Sequence, residues 1–187
     1  MRRLVKTALV SVCIACLSPA LAPVAMADDA GARAQIDGNV NATLNNLYAT
    51  VPGSRNVVSR AAGVLIFPDI TKAGFIVGGE RGDGALRVGG RSIAYYQTGG
   101  LSFGLQAGAE AHSMVLAFMT PDALQRFQNS SGWDVGADAS VAIVQTSAGG
   151  QLEASQLTKP VQVFVFGTKG LMGGLSLQGT KISRYDI

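Results

Sequence analysis

Residues 28–187 predict a single α+β domain, built mainly on an antiparallel, curved or barrel-like β-sheet. Three observations point there. The stretch Gly63–Gly90, GVLIFPDITKAGFIVGGERGDGALRVGG, is apolar enough to be buried yet studded with glycine. Interior glycine costs a helix about 0.5–1 kcal/mol relative to alanine, whereas twisted strands use it for bulges and close backbone approach. The same texture returns in GGLSFGLQAGAEA from Gly99, SGWDVGADASVAIV from Ser131 and FGTKGLMGGLSLQG from Phe166. Helical signals are confined to the N-terminal part and to a short segment near 121–128.

In chain order, Ile36, Val40, Leu44 and Leu47 fall on one face of a helix over Ala32–Thr50. Pro52-Gly53 ends it. Ser54 is placed to cap a shorter helix through Ala62 that turns Val57, Val58 and Ala61 inward. Both helices read as packing against the sheet. The first has few basic residues for a membrane-surface helix. Val64–Phe67 reads as a short strand stopped by Pro68. Ala73–Glu80 and Ala85–Val88 read as an antiparallel pair turning at Arg81-Gly82-Asp83-Gly84. Ser92–Thr98, Leu101–Glu110 and Ser113–Met119 continue the sheet. Thr120 and Pro121 open the third helix as cap and first residue, with Leu124 and Phe127 facing the core. Val135–Thr146, Val161–Gly167 and Leu171–Ser183 supply the last strands, and Ala148–Ser155 a turn-rich connection.

Three blocks carry a family resemblance: KAGFIVGGERGDGALRV, NSSGWDVGADASVAIV and FVFGTKGLMGGLSLQGTKISRYD. In this order they resemble the successive blocks of a SYLF domain, over about Asn45–Ile187. The resemblance implies lipid binding. Members of that family bind phosphoinositide-containing membranes and, in yeast, actin filaments. It supplies no catalytic residues to carry over.

The first 27 residues have the anatomy of a secretory signal peptide. Arg2, Arg3 and Lys6 precede an apolar run over Thr7–Ala22, and Ala25-Met26-Ala27 offers a cleavage site before Asp28. Both cysteines, Cys13 and Cys16, lie inside it, so a chain cut after Ala27 has no disulfide or thiolate ligand. A rival reading takes Ile14-Ala15-Cys16 as the end of a lipobox, with Cys16 lipidated. Either way the protein is expected to be exported, to the periplasm or an outer-membrane-associated site. Such a signal argues against phosphoinositide signalling and actin bundling here. The signal also accounts for the formal charge of +3. Removing Arg2, Arg3 and Lys6 from the fifteen basic residues leaves twelve, against twelve acidic ones. Nucleic-acid binding therefore has no electrostatic basis.

Catalytic chemistry finds little support. His112 is the sole histidine, and adjacent strand residues point to opposite faces, so it cannot share a proton with Ser113. No G-x-S-x-G elbow exists. GLSLQGTK, from Gly174, reverses the Lys-Thr order of a phosphate-binding loop. Arg81-Gly82-Asp83 is explained by a turn. Glu80 and Glu110 form a carboxylate pair only if their strands meet. No metal site or cofactor is expected. Trp133 suits either the end of a core or a membrane interface, and the resemblance favours the core.

The candidate lipid-headgroup ligands are Lys72, Arg81, Arg87, Arg91, Lys169, Lys181 and Arg184. Gathered on one rim they would attract phosphate; scattered they only solubilise. Lys72 and Lys169 stand inside the family-like words. The expected function is thus non-enzymatic phospholipid binding in a bacterial cell envelope. The alternative is a structural or protein-interaction module with a partner not specified by sequence. An enzyme acting on lipid or glycan ranks last.

Overall fold

A computed structural model describes residues 25–74, 77–103, 108–144, 152, 157–167, 170–171 and 177–187. Helices α1 (Ala25–Thr50) and α2 (Ser54–Arg60) come first. Four long strands follow: β1 (Gly63–Gly74), β2 (Val77–Val88), β3 (Arg91–Phe103) and β4 (Gly108–Phe118). Then come α3 (Pro121–Gln128), β5 (Trp133–Asp134), β6 (Val141–Ile143), β7 (Val161–Gly167), β8 (Gly170–Leu171) and β9 (Lys181–Arg184). The sheet order is β5-β9-β3-β2-β1-β4-β7-β6, with β8 on β7. All pairs are antiparallel except β6 with β7. The fold is a single α+β domain with the sheet curled into a half-barrel.

The curl has a covalent cause. β5 and β6 occupy opposite edges of the sheet, yet only residues 135–140 separate them. Eight strands laid flat would set those edges about 34 Å apart at ~4.8 Å per strand. Seven residue steps reach at most about 25 Å. The edges must therefore bend toward each other. The short segment is pinned on both sides, by Val135 N–H to Thr180 O (3.0 Å) and Val161 N–H to Ser140 O (3.1 Å).

Strand alternation buries both faces of the sheet, and each face has its own core. The concave face gathers Leu65, Phe67, Leu86, Met114, Leu116 and Val163, closed at one end by α3 through Leu124 and Phe127. The convex face gathers Val64, Ile66, Ala85, Val115, Phe164 and Phe166 under α1 and α2. Val40 and Leu47 of α1 are fully buried there, flanked by Ile36 and Leu44. The helical spacing of the sequence thus marks the packed face of α1. Thr120 caps α3 by accepting from Ala123 N–H at 3.2 Å, with Pro121 at its first position.

The hairpin expected at Arg81–Gly84 does not exist. Those residues lie mid-strand in β2, where Gly82 stands opposite Ile70 on one side and Thr98 on the other. The reversal falls between Gly74 and Val77 instead. Nor does Pro68 stop a strand: β1 runs through it with a bulge between Ile66 and Asp69. The glycines answer that bulge. A Cβ on Gly84 would lie 2.3 Å from Ile66 O, and one on Gly82 would lie 2.7 Å from Asp69 O. Neither glycine has the positive φ of a tight turn. Close approach, not reversal, requires glycine here.

Other boundaries shift for similar reasons. Gly53, at φ 87°, occupies the position before α2, and Ser54 Oγ donates back to Val51 O (2.7 Å) rather than capping. Val135–Thr146 is not one strand, because Asp134 and Asp138 accept backbone N–H groups and turn the chain at 136–140. Leu171–Ser183 is not one strand either: β9 begins at Lys181 after a turn with Gly179 at φ 79°. Most of the connection 148–155, the N-terminal segment through Val24, Cys13 and Cys16, and Lys169 lie outside the described residues.

Candidate functional site

Two cations share one row of the convex face. Lys181 of β9 stands opposite Gly99 of β3, and Gly99 opposite Arg81 of β2. Arg81 and Lys181 thus share one row two strands apart, about 10 Å between backbones. The row continues through Thr71 and Ala111. Arg81, Lys181, Thr71 and Ala111 are all exposed, and the intervening Gly99 has no side chain to shield the cations from a flat surface. The neighbouring row, Gln97–Asp83–Asp69, is acidic. Among the described residues, Asp83 Oδ1 is buried without a hydrogen-bond partner.

The other candidates lie elsewhere. Arg87 is six residues along β2 from Arg81, about 20 Å away at ~3.3 Å per residue. It is a docking residue for α1, donating to Asn41 Oδ1 (2.6 Å) and Asp37 O (3.3 Å). Asp37 in turn accepts from Ser92 Oγ (2.6 Å) and Tyr95 O–H (3.2 Å). Burial, and then the Asp37 carboxylate, push the Tyr95 phenol above its ordinary range. Arg91 is exposed beside the Gly89-Gly90 turn. Arg184 is exposed and pairs with Asp186 at 3.5 Å, a contact solvent makes weak. In the strand register Lys72 stands opposite Glu80 on one side and Glu110 on the other. Among the described residues, Arg81 and Lys181 share a row while Arg87, Arg91 and Arg184 lie apart from it; Lys169 lies outside the described residues. The sequence missed the Asp37 network because its members come from three separate segments.

Register also settles the two glutamates. β2 and β4 do not meet; β1 runs between them and sets Lys72 in the same row. Glu80 Oε1 accepts from Thr180 Oγ at 2.7 Å. His112 is buried on the concave side, while Ser113 Oγ donates to Pro68 O (2.7 Å) on the other. The two side chains diverge as the strand period requires. Among the described residues, no group of three His, Cys, Asp or Glu side chains could hold a metal ion.

Trp133 belongs to the core. Its ring packs 5.3 Å from Phe127 and 6.0 Å from Phe118, and its Nε1–H donates to Asp138 Oδ2 at 2.6 Å. Burial by itself raises the Asp138 carboxyl. Hydrogen bonds from Ser140 and Trp133, with Arg126 nearby, outweigh it and hold the group below its usual range. An open groove of about 540 Å³ lies at the N-terminal end of α1, lined by Arg33, Ile93, Tyr95, Arg184 and Tyr185. Arg33 Nη2 donates there to the Ile187 carbonyl. Among the described residues, no helix is long and apolar enough to cross a membrane.

Residues 99–186, from within β3 through β9, match the Ysc84 family, described as Las17-binding protein actin regulator. No curated protein matches the chain.

Proposed function

From a chain whose residues 99–186 belong to the Ysc84 (SYLF) domain family, we propose a phospholipid-binding protein of a bacterial cell envelope. The family is associated with lipid binding or actin regulation and is generally non-enzymatic. The observation that carries the reading is the exposed Lys181–Gly99–Arg81 row. Two cations with only small neighbours between them suit a flat anionic surface better than a cleft. Each is worth up to ~1 kcal/mol near anionic lipid.

Export rests on the N-terminal sequence, and the exported protein should begin Asp28-Asp29-Ala30-Gly31. An acylated N-terminal Cys16 would make it a lipoprotein instead. Flotation with vesicles of phosphatidylglycerol and phosphatidylcholine tests the binding. Arg81→Gln with Lys181→Gln should weaken association with anionic vesicles about 30-fold at low salt, from ~2 kcal/mol in all. The difference should shrink as the Debye length falls below ~10 Å. Arg91→Gln should change little. A parent protein that floats with no vesicle of any composition would end the lipid reading. The second reading, a protein-interaction module, is favoured by the family's description as Las17-binding.

A further inference from the structure

Beside the Arg81–Lys181 row, the same sheet face carries a second row of opposite charge. Ile70, Thr98 and Ile182 are buried, and a Cβ on Gly82 would press on Ile70. Their neighbours along each strand therefore turn outward on the convex face. Those neighbours fall into parallel rows. One is Lys181–Gly99–Arg81–Thr71, and the other is Ser183–Gln97–Asp83–Asp69. The rows lie two residues apart along every strand, about 7 Å at ~3.3 Å per residue. Arg81, Lys181, Asp69, Thr71 and Ser183 are exposed. Among the described residues, the side chains of Arg81, Lys181, Asp69 and Asp83 make no hydrogen bond or ion pair within the protein, and Asp83 Oδ1 is buried with no donor. Asp83 also stands directly opposite Asp69, and like charges so placed destabilise a sheet. A buried acceptor left unsatisfied adds to that cost.

We propose that the paired rows read the headgroup of phosphatidylethanolamine, its phosphate at Arg81 and Lys181 and its ammonium at Asp83 and Asp69. The proposal rests on the membrane-binding reading and adds the headgroup. Phosphate and primary ammonium are joined there by a short ethylene link, so one headgroup presents both charges side by side, as the rows do. The long stems of Arg81 and Lys181 lean along the surface to close the spacing between rows. A primary ammonium offers three N–H donors. It can bridge the opposed carboxylates and supply the donor that Asp83 Oδ1 lacks. The quaternary ammonium of phosphatidylcholine offers no N–H at all. Phosphatidylglycerol brings only negative charge and leaves the carboxylates opposed. A divalent cation suits the site less well. Calcium takes about six to eight oxygen ligands, more than the two carboxylates and Gln97 supply, and the neighbouring cations repel it.

Flotation of the full chain tests this with vesicles of constant phosphatidylglycerol content, the remainder being phosphatidylcholine or phosphatidylethanolamine. The two mixtures carry the same net charge, so bulk attraction to the surface is matched. The parent should bind the ethanolamine vesicles about three- to tenfold more tightly, the gain expected of two solvent-screened ion pairs. Asp69→Asn with Asp83→Asn should abolish that preference. A preference that arises from lipid packing would survive the substitution and overturn the assignment. A second measurement needs no variant and decides the matter even if the asparagine protein fails to fold. Across vesicles whose ethanolamine nitrogen carries successive methyl groups, affinity of the parent should fall as N–H donors are lost; equal affinity across the series refutes the proposal. Adding a chelator should leave the preference intact, and its loss would put a bridging metal ion in place of the ammonium. A protein that binds phosphatidylglycerol vesicles but treats ethanolamine and choline alike refutes the headgroup assignment and leaves membrane binding standing. A protein that binds no vesicle refutes both.

Discussion

Replacing Gly84 by alanine tests the central feature of the sheet, the passage of β2 over the β1 bulge. The new methyl would lie 2.3 Å from Ile66 O and 2.6 Å from Phe67 Cδ1. Ordinary contact between carbon atoms is about 3.5–4.0 Å, so something must move by roughly 1 Å. The nearest atom is backbone, in a strand hydrogen-bonded on both sides. Ile66 and Phe67 are themselves fully buried, one in each core. Relief by a small side-chain rotation is therefore closed off. Overpacking of this kind costs about 2–3 kcal/mol, or roughly 5–10 °C in Tm for a domain of this size. Gly79→Ala in the same strand is the control. Its methyl meets nothing within 4 Å and its φ is not positive. It should be neutral, or stabilising by up to ~1 kcal/mol through the unfolded state. Urea titrations of both variants give the comparison directly. If Gly84→Ala proves as stable as Gly79→Ala, β2 does not press on the bulge, and the sheet register around 82–84 is wrong.

Three further outcomes are expected. Phe127→Ala should cost about 3–5 kcal/mol, since its buried ring lies 4.8 Å from Tyr96 and 4.9 Å from Phe118; Trp133 emission should shift to the red as its packing partner goes. Asp138 has a carboxyl depressed in the folded state, so its contribution is complete above the ordinary carboxylate range and is lost as pH falls through the depressed value. Urea midpoints of Asp138→Asn should accordingly fall less than those of the parent on acidification from about pH 5 to pH 2, and an unchanged slope would show that this carboxylate is not coupled to folding. Asp37→Ala leaves Ser92 Oγ and Tyr95 O–H without their acceptor and should cost about 1–3 kcal/mol; faster amide exchange confined to α1 would identify the loss as undocking of that helix.

Sequence alone determined the elements whose signals are local. The 3.6-residue spacing of Ile36, Val40, Leu44 and Leu47 specifies which side of α1 is buried, because one helix face needs no distant partner to be read. Thr120-Pro121 specifies the start of α3 for the same reason: the cap and the proline act within one turn. The glycine-relieved apolar blocks specify a β-rich, curved sheet and carry the SYLF resemblance. Tertiary structure decided what depends on residues far apart in the chain. Gly82 and Gly84 look like turn residues until the β1 bulge is set beside them, since glycine serves reversal and close approach equally well. Register decided that Lys72 separates Glu80 from Glu110, and that Arg81 shares a row with Lys181, a hundred residues later in the chain. Packing decided that Arg87 holds α1 instead of facing solvent. A cation's type is legible in sequence; its neighbours are set by strand pairing, which aligns segments that composition and spacing leave independent.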